Sequence, residues 1–226
     1  MQVDYSMNQN RTQTKSKERV RAHGEVFTAE REVKAMCDLV KDETERIDSR
    51  FLEPACGDGN FLAEILSRKL AVVKRKYSRS HLDYEKNAVL AASSIYGVDI
   101  LIDNVLACRD RMFAIWDKEY KAVCKKDCND FTREAVKFIL SRNIVCGNAL
   151  TLKCVDENAN DIDEPIVFSE WAFVTGSNLQ RSDYTFAELL AQNDDKQKTK
   201  QQTLFNDEGV FLKKYVTHYR RVQENG

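Results

Sequence analysis

Phe51-Leu52-Glu53-Pro54-Ala55-Cys56-Gly57-Asp58-Gly59-Asn60-Phe61-Leu62 is the stretch that decides how this chain is read. A short apolar strand delivers an acid, a proline stops the strand, a tight turn holds two glycines, and an apolar helix follows. Gly57 and Gly59 open backbone angles that are closed to other residues, so a ligand can approach the main chain. The helix behind them offers free N–H groups at its start. Ligands of open α/β sheets sit at the carboxyl ends of the strands. The segment therefore reads as a cofactor loop. It is not the dinucleotide pattern G-x-G-x-x-G, because position 62 is leucine. It is not a phosphate-binding P-loop, because no Lys-Ser/Thr follows Gly59.

Outward from this loop, strands and helices alternate. Thr28 reads as a helix N-cap, with Val33, Met36, Cys37 and Val40 on one face of the helix. Phe61 to Lys76 reads as a helix with Leu62, Ile65, Leu66 and Leu70 aligned. Helices follow over 81–94, 103–120 and 131–140, and strands over Ile95–Ile100 and Asn143–Cys146. Pro165–Phe168 opens a fourth strand. The alternation predicts an α/β fold with a mostly parallel sheet, right-handed crossovers and flanking helices. Residues 1–22 are polar and carry five cations against two acids. They read as a solvated arm or one that touches phosphate. Residues 23–226 read as one domain, with an exposed loop near 192–203. A last hairpin or strand falls between Leu204 and Val222, with a turn at Asp207-Glu208-Gly209.

Composition narrows the class. A chain of 226 residues, 42% hydrophobic, suits one domain with a core of its own. No apolar run approaches the roughly 20 residues of a membrane span, and the polar N-terminus does not read as a secretory signal. The balance of 35 Lys+Arg against 36 Asp+Glu excludes a uniformly basic coat but not a local basic patch. Seven scattered cysteines point to reduced thiols in a cytoplasm. Cys124 and Cys128 are spaced for one helical face, but no further ligands lie nearby in sequence, so no metal is expected.

The string Glu53-Pro54-Ala55-Cys56-Gly57-x-Gly59-x-Phe61 resembles motif I of S-adenosylmethionine (SAM)-dependent methyltransferases, in the form found in N6-adenine DNA methyltransferases. The resemblance implies a Rossmann-like methyltransferase fold, whole or truncated, with SAM as cofactor and DNA as partner, bound with help from a partner subunit or through oligomerisation. It implies that Glu53, Ala55, Cys56, Gly57 and Gly59 hold the methionine part of SAM. Three more segments fall in the family's order. His23-Gly24-Glu25-Val26-Phe27-Thr28 resembles motif X, so Phe27 and Thr28 would touch the same end; Ala29 stands where the motif has proline. Tyr96-Gly97-Val98-Asp99-Ile100 resembles motif II. There Asp99 would accept hydrogen bonds from the ribose hydroxyls and Ile100 would cover the adenine. Cys146-Gly147-Asn148-Ala149-Leu150 resembles motif III, in which Asn148 would bind the adenine amino group; Gly-Asn is equally a common turn.

The family's target-side motif, [DNS]-P-P-[YF], has no counterpart, since the chain contains no Pro-Pro. Its place falls at Ile166–Phe173. Ser169 would stand for the polar residue, and Trp171 or Phe173 for the aromatic that stacks on a flipped base. The competing reading has Trp171 and Phe173 alternating into a core. Lys213, Lys214, Arg220 and Arg221 with Tyr215 and Tyr219 form a basic-aromatic cluster, read as nucleic-acid contact or as a solvated face. The resemblance thus implies adenine-specific DNA methylation, as in restriction-modification systems. Two alternatives stand beside it: a non-catalytic SAM-binding or scaffold subunit of such a complex, and a methyltransferase acting on RNA or a small molecule.

Overall fold

A computed structural model describes residues 28–191 and 213–225. The polar arm over 1–22, Phe27, the 192–203 loop and the 207–209 turn lie outside the described residues. In chain order the elements are α1 (Glu30–Leu39), α2 (Lys41–Thr44), β1 (Phe51–Glu53), α3 (Asn60–Tyr77), α4 (His81–Ser93), β2 (Ile95–Asp99), α5 (Ile102–Cys124), α6 (Asp130–Asn143) and β3 (Ile144–Cys146). There follow β4 (Lys153–Val155), β5 (Asp161–Pro165), β6 (Val167–Thr175), β7 (Asn178–Thr185), β8 (Lys213–His218) and a 3₁₀ segment, Tyr219–Asn225.

The protein is mixed α/β, with a small parallel sheet in the order β1-β2-β3 and helices between its strands. Side chains alternate between its faces. Ile95 and Ile144 enter the main core with Leu62, Ile65, Leu66 and Leu70 of α3, Ala88 of α4, Trp116 of α5 and Ile139 of α6. Tyr96 and Val98 point the other way, into a second cluster with Ile166, Phe168 and Phe186. Among the described residues no helix is long and apolar enough to cross a membrane.

The expected fourth parallel strand is not there. β6 pairs antiparallel with β7, and β7 with β8, in a separate three-stranded sheet. Thr175 pairs with Asn178, so only Gly176 and Ser177 connect β6 to β7. Two residues can close a hairpin, whereas a parallel crossover needs a dozen or more. Gly176 supplies the positive φ, +58°, at that turn. Pro165 ends β5 instead of opening β6.

Two smaller expectations also shift. Helix α1 starts one residue later than the Thr28 cap implies: Ala29 is its N-cap, and the Glu32 carboxylate reaches back to accept from the Ala29 N–H at 3.3 Å. Cys124 closes α5, and a 3₁₀ turn over Lys125–Asp127 separates it from Cys128. The two thiols thus do not share a helical face. They contact the carbonyls of His81 and Tyr120 respectively.

Two of the buried titratable side chains tie the elements together. The Lys69 Nζ, fully buried, donates to the carbonyls of Ile47 (3.2 Å) and Ser49 and to Ser94 Oγ (2.5 Å). It fastens the chain entering β1 to the chain entering β2. The buried Glu85 carboxylate accepts from Tyr120 Oη, Tyr219 Oη, Thr132 Oγ1 (3.0 Å) and Arg220 Nε (2.7 Å). It joins α4, α5 and α6 to the 3₁₀ segment that follows β8. Buried ions persist only where such partners replace water.

Candidate functional site

Glu53 and Asp99 end adjacent parallel strands on the same, carboxyl side of the sheet. The chain leaves β1 into the glycine loop, which stays tied to β2: Cys56 N–H donates to the Val98 carbonyl at 2.9 Å. Gly57 (φ +53°) and Gly59 (φ +85°) both occupy the left-handed region. Gly59 is the N-cap of α3, and the loop closes through its N–H to the Cys56 carbonyl at 2.9 Å. A Cβ on Gly57 would meet nothing within 4 Å, so that side of the loop is open. A Cβ on Gly59 would lie 2.6 Å from the Cys108 Sγ.

Asp99 organises the other half. Its Oδ2 accepts from the Gly57 N–H at 2.9 Å; its Oδ1 accepts from the Leu101 N–H at 2.9 Å and from Asn104 Nδ2 at 3.1 Å. A carboxylate offers about four acceptor positions, so Oδ2 retains one for a ligand donor. Half-buried Glu53 has its pKa raised by burial, against the smaller opposing effect of the Ala55 N–H. A cation brought beside it would favour the charged form. The thiol of Cys56 is pushed far above its ordinary range by the neighbouring Cys108 thiol and by burial. It packs under Gly97, where a Cβ would come within 3.0 Å of the sulfur. Such a thiol is a packing group, not a nucleophile.

The structure thus brings Glu53, Ala55, Cys56, Gly57, Gly59, Asp99 and Ile100 to one end of the sheet. Thr28 is exposed ahead of α1. Asn148 lies just past β3, in a tight turn whose own bonds occupy it. Its Oδ1, the atom expected on adenine, accepts from the Leu150 N–H at 3.0 Å, and its Nδ2 donates to Asp161 at 3.0 Å. Ser169 and Trp171 are elsewhere. Trp171 is buried, edge-on to Phe138, and its Nε1 donates to Asn143 Oδ1 at 2.9 Å, at the residue entering β3. That is the amino end of the sheet, opposite the loop. Ser169 is fully buried in a polar cluster, donating to Asp183 at 2.6 Å and accepting from Arg181 at 3.2 Å. The basic-aromatic cluster also disperses: Tyr219 is buried, Arg220 holds Glu85, and Arg221 pairs with Glu224 at 2.6 Å.

Sequence reasoning missed one face of α5. Asn104, Cys108 and Arg111, at i, i+4 and i+7, all meet the site: Asn104 at Asp99, Cys108 under Gly59, and Arg111 at Asp58 (2.8 Å) and Asn60 (2.5 Å). Their spacing was the available signal. Among the described residues no group of three or more His, Cys, Asp or Glu is arranged to hold a metal. Comparison with protein-family models, curated proteins and solved structures gives no match.

Proposed function

We propose that the chain binds SAM at the carboxyl ends of β1 and β2, and that it works in N6-adenine methylation of DNA. In this reading β1-β2-β3 is the cofactor half of a Rossmann-like methyltransferase sheet. The observation that carries it is the charge of the site. Two carboxylates, Glu53 and Asp99, flank a left-handed glycine loop, and Arg111, the cation that bonds this loop, is committed to Asp58 and Asn60. Such a site suits a ligand bearing positive charge and hydroxyl donors and repels phosphate. SAM has both features, and when bound it supplies an electrophilic methyl group. Glu53 would face its cationic end, Asp99 would accept from a ribose hydroxyl, and the open side of Gly57 admits the ligand to the main chain.

A second reading, a SAM-binding subunit that relies on a partner for the target side, is favoured by two observations. Ser169 and Trp171 are committed to internal partners away from the loop. And among the described residues β1 is an edge strand: Leu52, in register with buried Tyr96, is 40% exposed. Parallel strands are ordinarily covered on both faces.

Calorimetry with SAM tests the common core of both readings; binding is expected to weaken at least tenfold in Asp99→Ala. No binding by the parent chain, or equal binding by Asp99→Ala, defeats both. Transfer from radiolabelled SAM then separates them. Label in duplex DNA supports the enzyme, SAM binding without transfer supports the subunit, and label in RNA alone overturns the DNA assignment.

A further inference from the structure

Arg111 projects from the third turn of α5 and forks across the start of α3. Its Nη2 donates to Asp58 Oδ2 at 2.8 Å and its Nη1 to Asn60 Oδ1 at 2.5 Å. These two residues bracket Gly59, the left-handed N-cap of α3. The side chains of Arg111 and Asp58 are only 21% and 15% exposed, so their attraction is weakly screened. A planar guanidinium can hold two acceptors in one fixed geometry, which an ammonium cannot. Two turns earlier, Asn104 of the same helix holds Asp99. The Gly57 N–H bond to Asp99 closes the circuit. One rigid helix therefore sets both halves of the candidate site.

We propose that Arg111 is a positioning residue: it fixes the Asp58–Asn60 turn so that the glycine loop and the free N–H groups of α3 stay in a ligand-receiving form. The ligand named in the test rests on the SAM reading; the loop geometry does not. Without the fork, Gly57 and Gly59, each with the backbone freedom of glycine, would leave the loop free to sample other conformations.

The test compares the full chain with Arg111→Ala and Arg111→Lys. Hydrogen exchange is followed in peptides covering residues 55–62, melting temperature controls for folding, and SAM affinity is measured by calorimetry. Arg111→Ala is expected to speed exchange in the loop peptide while leaving peptides of α4 and α6 unchanged, and to weaken SAM on the order of tenfold or more, the scale of a charge-assisted bond. Arg111→Lys, keeping charge but not the fork, is expected to fall between the two. Because Asp58 is the ionic partner, Asp58→Ala/Arg111→Ala should bind SAM little worse than Arg111→Ala alone. Unchanged loop exchange in Arg111→Ala overturns the proposal whether or not SAM binds. So does SAM binding equal to the parent's. If the parent binds no SAM, the SAM reading falls, and the exchange measurement alone decides the role of Arg111.

Discussion

Gly57 and Gly59 lie two residues apart in the same loop, both with positive φ, yet their replacement by alanine should have unequal effects. At Gly57 an added Cβ meets nothing within 4 Å, so the cost is that of holding alanine in the left-handed region, about 1–2 kcal/mol. At Gly59 the same backbone cost recurs. In addition the Cβ would lie 2.6 Å from the Cys108 Sγ, 3.3 Å from its Cβ and 3.5 Å from its Cα. Cys108 sits on the buried face of α5 and cannot swing into solvent, so the overlap adds about 1–3 kcal/mol. Gly59→Ala is therefore expected to destabilise by about 2–5 kcal/mol and Gly57→Ala by about half that. For a chain of this size each kcal/mol moves Tm by roughly 2–4 °C. Urea midpoints at constant slope measure both. The double variant Gly59→Ala/Cys108→Ala removes the closest contact but not the φ cost. A cycle should show favourable coupling of about 1–2 kcal/mol. Equal destabilisation at the two glycines, or no coupling to Cys108, would refute the packing of this loop on α5.

Glu85→Ala deprives two tyrosines, Thr132 and Arg220 of their shared acceptor; a loss of about 3–5 kcal/mol is expected in denaturant unfolding, as for breaking a buried ion pair. Burial lowers the Lys69 pKa from 10.5 to about 7. The unfolded chain therefore binds more protons between those values, and stability should rise from pH 7 toward pH 10; Lys69→Met should flatten that rise relative to the parent, and an identical slope would contradict it. Trp171→Ala should cost about 3–5 kcal/mol by opening the core while SAM affinity, measured on the folded fraction, stays within twofold (about 0.4 kcal/mol). A selective loss of SAM binding without destabilisation would return Trp171 to the site.

The loop and Asp99 were legible because their chemistry is local. Two glycines beside a strand-ending acid demand unusual backbone angles, and the helical spacing of Leu62, Ile65, Leu66 and Leu70 states which face is buried. The direction of β6 was not legible from its own residues, since Phe168 and the residues after it alternate alike in parallel and antiparallel pairing. The deciding cue was the short Gly176-Ser177 link. Arg220 read as a nucleic-acid contact or a solvated face, and Arg111 drew no reading, because their partners, Glu85 and Asp58, lie 135 and 53 residues away. Asn148 was ambiguous for a different reason. The same side chain that suits an adenine amino group also suits an Asx turn, and in the folded chain the turn has it.

Glu85 has a consequence for the order in which the protein is assembled. Its carboxylate is laid down with α4, early in the chain, but two of its four donors, Tyr219 and Arg220, are synthesised last among the described elements. Without those two donors the carboxyl between α4, α5 and α6 keeps only Tyr120 and Thr132 as partners. A chain truncated before residue 219 should therefore leave that carboxyl open to water and be cleaved by protease faster than the full chain.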